Sequence, residues 1–280
     1  MASAYWTLPP GNANSDQARL PLPHVQALLS ELGTARRDAV ASALLRLVGD
    51  SAAVAQCTIF AYDDRLRPHE VAVGDRSRTS ALPQISAQYV TRFYRLDGCR
   101  AAMTAEMPTA QKAMVDAPHI VLQRQAASDV QHADYRRVCY DEPRLCERLA
   151  VLSLVDRQRW LAVNFYRGTE HGPFDAAAIT AIEALAPLVV QAVRLHFTQR
   201  SSAAALSEHL IARLRERAPD LGKRDIDTLR GWLAGTATNA LAEQMGITPA
   251  SVQTYRKRLY RKLGVAGQRE LLALLLDPTA

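Results

Sequence analysis

Cysteine is scarce and poorly spaced for chemistry. Cys57, Cys99, Cys139 and Cys146 are the four in 280 residues, and no two form a CxxC pair. This excludes the usual zinc and thioredoxin-type motifs. In a reducing cytosol the four are expected as reduced, small apolar residues, with Cys139 and Cys146 as the alternative redox pair. No apolar run reaches the ~20 residues that span a bilayer, so no membrane partner is expected. The start, MASAYWTLPPGNANSDQARLPLP, lacks the basic opening and apolar core of a secretion signal and carries Pro9, Pro10, Pro21 and Pro23, which points to a cytoplasmic protein. No internal repeat occurs at periods of ~20 to 50 residues. Neither a nucleophile–base motif nor metal-ligand spacing links Cys139 and Cys146 to His119, His132 and His171. No catalytic site, metal site or cofactor is therefore expected, and the chain does not read as an enzyme.

What is present is an ordinary globular composition, 48% hydrophobic and 22% charged, long enough for one sizeable domain and a smaller one. Positive charge is unevenly placed. Residues 221–280 carry nine Lys or Arg against five Asp or Glu, whereas residues 1–220 carry 25 against 23. A basic excess at one end suits a polyanionic partner.

Residues 1–21, rich in Pro, Asn, Ser and Gly, read as a disordered leader. Helical spacing from Leu22 to Val48, interrupted at Gly33 and Thr34, predicts a helical pair. AVAQCTIFAYDD (53–64) and HEVAVGD (69–75) predict two strands, and a stripe of Ile85, Tyr89, Val90, Phe93 and Tyr94 predicts a helix over 82–96. Between Asp97 and Pro143 the pattern is broken, with Pro108 and Pro118 dividing it into short pieces. LAVLSLVDRQRWLAVNFYR (149–167) predicts a hairpin about a polar turn at 156–159, its strands central in a sheet. In GPFDAAAITAIEALAPLVVQAVRLHF, Asp175 can cap a helix and Phe174 can pack back on Ile179. Ile179, Ile182, Ala186, Val189, Val193 and His196 form a packing seam, a candidate dimer interface if this unit is an interaction module, and Pro187 is a candidate kink. A second helix over 203–217 reads as a connector.

Together these predict an α+β N-terminal domain over 22–200, an antiparallel sheet with flanking helices, a helical linker over 201–219, and an all-α domain over 220–280. The order of elements, and the segment GPFDAAAITAIEALAPLV above all, resembles sensor domains of the GAF or PAS type. In such a domain Phe93, Tyr94, Tyr135, Cys139, Tyr140 and Trp160 are candidates to line a pocket for a small-molecule effector.

The basic excess centres on MGITPASVQTYRKRLYRKLGV (245–265), with five basic residues between Arg256 and Lys262. A short helix over 238–245 behind a threonine cap, a turn at Gly246 and Ile247, and a second helix begun by Thr248 and Pro249 and stopped by Gly264 make a helix-turn-helix. On the second helix, Val252, Tyr255, Leu259 and Leu263 share an inward face. Gln253, Thr254 and Lys257 face outward, with Arg256, Arg258, Arg261 and Lys262 on the flanks. Gln and Lys can read purine edges in the major groove while the flanking cations neutralise phosphates.

From Leu221 to Leu276 the chain resembles the LuxR-type, GerE-like helix-turn-helix. The resemblance rests on Leu221, Arg224, Asp225, Asp227, Leu229, Gly235, Leu241, Ala242, Ile247, Thr248, Pro249, Val252 and the run Tyr260 to Val265. It implies base contacts from Gln253, Thr254 and Lys257, phosphate contacts from Thr238, Ser251, Tyr255, Arg256 and Arg258, and pairing on DNA through a last helix over 268–275. Arg261 joins the phosphate set by its place on the flank. Gly222 and Lys223 depart from the usual Thr and Pro, and Asn239 and Ala240 from a common Lys and Glu. The expected partners are double-stranded DNA with paired half-sites, a second copy of the chain, and a small-molecule effector. The alternative is a regulator whose N-terminal domain is an interaction or dimerisation module or a redox sensor. A phosphoacceptor receiver does not fit, because Asp63 and Asp64 have no matching acidic or lysine partners. The Trp, Tyr and Asp cluster of acyl-homoserine-lactone pockets is not evident around Phe60 to Asp75.

Overall fold

The computed structural model of the chain describes residues 4–9, 21–34, 36, 38–76, 81–113, 118–155 and 159–276. It divides into two compact units, residues 1–196 and 197–280. The boundary falls at His196, four residues before the domain end expected from composition.

The first unit is built on one sheet of six antiparallel strands, in the order β1-β4-β5-β6-β2-β3. These are β1 (Tyr5–Thr7), β2 (Val54–Tyr62), β3 (Pro68–Asp75), β4 (Ile120–Ala126), β5 (Leu145–Leu154) and β6 (Trp160–Gly168). The hairpin β5–β6 is central, as its nearly continuous apolar runs imply: both strands are buried over almost their whole length. The turn expected at 156–159 lies largely outside the described residues.

Two expectations about the first part of the chain are corrected. The leader is not wholly unstructured: Tyr5, Trp6 and Thr7 pair with Gln123, Leu122 and Val121 of β4. The Trp6 indole donates to Glu183 Oε1 at 2.8 Å, so two long-range tethers hold a short strand on an otherwise open sheet edge. The stretch 97–143 is also more ordered than its prolines suggest. It holds α4 (Gly98–Ala113), which continues through Pro108, then β4, then α5 (Ala133–Arg136). Proline removes one donor but does not break a helix whose other turns are held by packing, and Cys99, Ala102, Met103 and Ala110 are buried along it.

Side chains alternate across the strands and divide the sheet into two faces. On one face lie α1 (Leu22–Glu31) and α2 (Ala39–Ala52), the predicted helical pair, with α2 packed on β2 and β3. The start of α6 (Ala176–Arg217) is tied to the same face. Glu147 accepts from Phe174 N at 2.7 Å and pairs with Arg124, whose Nη2 donates to Phe174 O at 2.9 Å. Asp175 caps α6 by accepting from Ala178 N at 2.8 Å, and the helix runs unbroken through Pro187.

The separate connector helix is thus a continuation of α6, which begins in the first unit and ends in the second. The stretch Ala176–Thr198 is long and apolar enough to cross a membrane by composition. Its apolarity has a local cause, because Ile182, Ala186, Val189, Val193 and His196 are all buried inside the first unit. Ile179, the first residue of the expected seam, is half-buried, and the other five of its six residues are not open to a second copy as a dimer interface would require.

On the other face, α3 (Leu82–Gln88), α4 and α5 cover a second core containing Phe60, Tyr62, Trp160 and Ala162. The helix expected over 82–96 is α3 followed by a π-helical turn at Tyr89–Phe93 and a 3₁₀ turn at Tyr94–Leu96. A second π-helical turn, Arg137–Asp141, continues α5. Such turns swing consecutive side chains off the 3.6-residue period, and here they bury Tyr89, Phe93, Cys139 and Tyr140.

The second unit is all helical: the end of α6, then α7 (Lys223–Leu233), α8 (Thr238–Met245), α9 (Pro249–Leu263) and α10 (Gln268–Leu276). Its core gathers Ile211, Leu214, Leu229, Leu259 and Leu271, with a satellite of Leu241, Ala242, Met245 and Val252 between α8 and α9.

Candidate functional site

The α8–turn–α9 geometry follows from four residues. Gly246 ends α8 at φ 65° and Gly264 ends α9 at φ 67°, left-handed positions that glycine adopts without strain. Thr248 caps α9, its Oγ1 accepting from Ser251 N at 3.2 Å, with Pro249 at the first helical position. The cap expected for α8 is different: Ala237 stands at the N-cap without a side-chain bond, and Thr238 is the first helical residue.

On α9, Val252 and Leu259 are buried as predicted, while Tyr255 and Leu263 are only half-buried. The opposite side exposes Thr254, Lys257, Arg258 and Arg261, and Ser251, Gln253 and Arg256 are half-buried between the two faces. Thr238 is half-buried at the start of α8. Thr254 Oγ1 donates to Ala250 O at 3.1 Å, which uses its proton and leaves its oxygen able to accept.

One flank residue is corrected. Lys262 does not point free; its Nζ lies 2.8 Å from Asp225 Oδ2, and its side chain is 13% exposed. Asp225 also accepts from Gly222 N at 3.0 Å and faces Arg258 Nε at 3.7 Å. Burial alone would raise the Asp225 carboxyl, but hydrogen bonds from Lys262 and Gly222 N and the charges of Lys262 and Arg258 hold it below the ordinary value.

Residues 219–275 match the GerE family model, described as bacterial regulatory proteins of the luxR family. The C-terminal unit carries a GerE domain. The transcriptional regulatory protein MctR of Rhizobium johnstonii is 37% identical over 65 residues, which are 23% of this chain and 30% of MctR. The chain thus matches under a third of that relative's length. Among solved structures, the VqsR LBD domain from Pseudomonas aeruginosa is similar at 14% identity, with a TM-score of 0.42, over 64% of this chain and 96% of that one. SdiA of Escherichia coli is similar at 12% identity and a TM-score of 0.36, over 91% of this chain and 99% of its own. In the GerE domain, Thr254, Lys257, Arg258 and Arg261 are the exposed residues of α9 around this face, and Gln253, expected to face outward with them, is half-buried.

The N-terminal unit holds a second concentration of chemistry, on the face covered by α3, α4 and α5. All six sequence-predicted pocket residues belong to this one core: Phe93, Tyr94, Tyr135, Cys139, Tyr140 and Trp160. Phe93 stacks on Tyr135 with ring centroids 5.4 Å apart, and Tyr140 meets Tyr135 edge-on at 6.1 Å.

Sequence reasoning missed the charged centre of this core. Arg148 and Asp97, both buried, form a bidentate pair at 2.5 and 2.7 Å. Tyr135 OH donates to Asp97 at 2.9 Å, and Arg148 Nη2 donates to Gln123 Oε1 at 2.7 Å and to Gln125 Oε1 at 3.2 Å. Burial would raise Asp97, but the Arg148 charge and hydrogen bonds overcome it and hold the carboxyl at about 2.

Burial pushes the Cys139 thiol up to about 12, and the Asp97 charge adds to this. All four cysteines are free. Trp160 Nε1, Asn164 Oδ1 and Arg148 Nε are buried here without a hydrogen-bond partner among the described residues. Their strands run through the middle of the sheet, with Trp160 opposite Tyr62 and Asn164 opposite Ala150.

Proposed function

We propose that the protein is a sequence-specific DNA-binding transcription regulator whose N-terminal unit, a GAF-like sensor, binds a small molecule and controls DNA binding by a dimer on paired half-sites. The observation that carries the DNA-binding half is the outward row Thr254, Lys257, Arg258 and Arg261 on a glycine-bounded, threonine-capped helix inside a GerE domain. Gln253, Thr254 and Lys257 reach base edges. Thr238, Ser251, Tyr255, Arg256, Arg258 and Arg261 contact phosphates. That MctR is a transcriptional regulatory protein supports this reading.

The sensing half is supported by buried polar groups left without partners around an aromatic core. A buried donor without an acceptor is costly, and a ligand carbonyl or hydroxyl would relieve Trp160 Nε1. Phe93, Tyr94, Tyr135, Cys139, Tyr140 and Trp160 line the site. Asp97 and Arg148 neutralise each other, which favours an uncharged effector.

Burial of the α6 seam weighs against a helical interaction module, and a Cys139 thiol protonated at neutral pH weighs against a redox sensor or thiol enzyme. The protein acts in the cytoplasm, where its DNA is.

Fluorescence anisotropy of the full-length protein on a bound duplex and a scrambled one tests the DNA-binding half. Lys257→Ala and Gln253→Ala relax the preference between them, while Arg258→Ala weakens both and flattens the salt dependence. A Lys257 variant with full discrimination would move the reading surface elsewhere.

A further inference from the structure

Five basic residues crowd one end of α9, yet the GerE domain does not treat them alike. Asp225, on the first turn of α7, is almost wholly buried and meets two of them. Lys262 is drawn in: besides Asp225 Oδ2 at 2.8 Å, its Nζ donates to Asp220 O at 2.5 Å and lies 3.5 Å from Asp220 Oδ2. An ammonium with these oxygens around it and a 13% exposed side chain has little left to offer a phosphate. Arg258 differs. Its Nε lies 3.7 Å from Asp225 Oδ1, beyond hydrogen-bond distance, and its side chain is 49% exposed. A guanidinium has five donors in a rigid fork, so one edge can rest on the carboxylate while the other faces solvent. Asp225 Oδ1 has no hydrogen bond among the described residues, and the Arg258 guanidinium lies 3.7 Å from it.

We infer that Asp225 divides the basic run of α9 between two tasks, tethering Lys262 inside the fold and positioning Arg258 for a backbone phosphate, so that Lys262 itself makes no DNA contact. The inference rests on the DNA-binding reading above and goes further, because it assigns a positioning residue that touches no nucleic acid. It also removes one cation from the phosphate count that the sequence suggests.

The test is the salt dependence of duplex binding by the full-length protein, measured for wild type, Lys262→Gln, Arg258→Gln, Asp225→Asn and the Asp225→Asn/Arg258→Gln double variant. Each phosphate contact contributes about 0.9 to the slope of log K against log salt. Arg258→Gln is expected to lower the slope by about 0.9, and Lys262→Gln to leave it unchanged while lowering the thermal midpoint. Asp225→Asn is expected to weaken binding several-fold in the wild-type background and to add nothing once Arg258 is gone. A merely structural Asp225 would weaken binding equally in both backgrounds, and that result would overturn its positioning role. A slope lowered by about 0.9 in Lys262→Gln would overturn the tether. Failure of the wild-type protein to bind any duplex would instead sink the DNA-binding reading, while the expected fall in the Lys262→Gln midpoint would still test the tether.

Discussion

At the scale of single residues, the buried pair Asp97–Arg148 shows what sequence reading could not reach. Fifty-one positions separate the two, one in a turn before α4 and the other on β5, and no periodicity links a carboxylate to a guanidinium across that distance. The aromatic and thiol neighbours were legible, because large apolar side chains on strands and amphipathic helices are expected in a core. The charge that organises them was not. Replacing Asp97 with Asn strands a buried guanidinium and is expected to destabilise the N-terminal unit by about 3–5 kcal/mol, measured as a fall in chemical-denaturation midpoint. A near-neutral result would mean that Arg148 has other compensation. The pair also predicts an acid limb. The Asp97 carboxyl sits at about 2 in the fold against an ordinary 3.8, so its stabilisation is complete above pH ~4 and is lost as pH falls toward ~2. Asp97→Asn should lack that component of the acid transition.

At the scale of elements, success and failure in the sequence reading divide by what fixes each element. The hairpin β5–β6, the pair α1 and α2, and the α8–α9 motif carry their own punctuation: apolar runs around a polar turn, an interrupting glycine, a threonine and proline at a helix start. Each was legible from local residues. β4, by contrast, has the mixed sequence IVLQRQA, in which Gln123 and Gln125 are buried because they bond Arg148. Its strand character comes from its neighbours in the sheet. The two π-helical turns escaped for a related reason, since a single inserted residue shifts the helical phase without leaving a signature in composition.

The turn between α8 and α9 makes a prediction at this scale. Gly246 has φ 65° with open space where a side chain would stand, so Gly246→Ala meets backbone strain and no clash. A loss of about 1 kcal/mol is expected, read by thermal unfolding, with base preference retained because α9 keeps its own cap. Leu259→Ala, which removes a side chain at the centre of the helical core, should cost more, about 2–5 kcal/mol.

At the scale of the whole molecule, the chain carries its chemistry in two places, a basic helix in the GerE domain and a polar, aromatic core in the N-terminal unit. Native mass spectrometry of freshly purified full-length protein is expected to give a dimer carrying extra mass from a retained, uncharged effector, and less of it in a Trp160→Phe variant. A mass equal to the bare chain in every preparation would argue for a core without a ligand. The central claim, that α9 reads DNA, is tested most directly by selecting bound sequences from a random duplex pool with full-length wild type and with Lys257→Ala. The account predicts an enriched motif of two related half-sites, centred about one helical turn or a multiple of it apart, with positions that blur in the Lys257 variant. An unenriched pool with wild type, or the same sharp motif from both proteins, would contradict it.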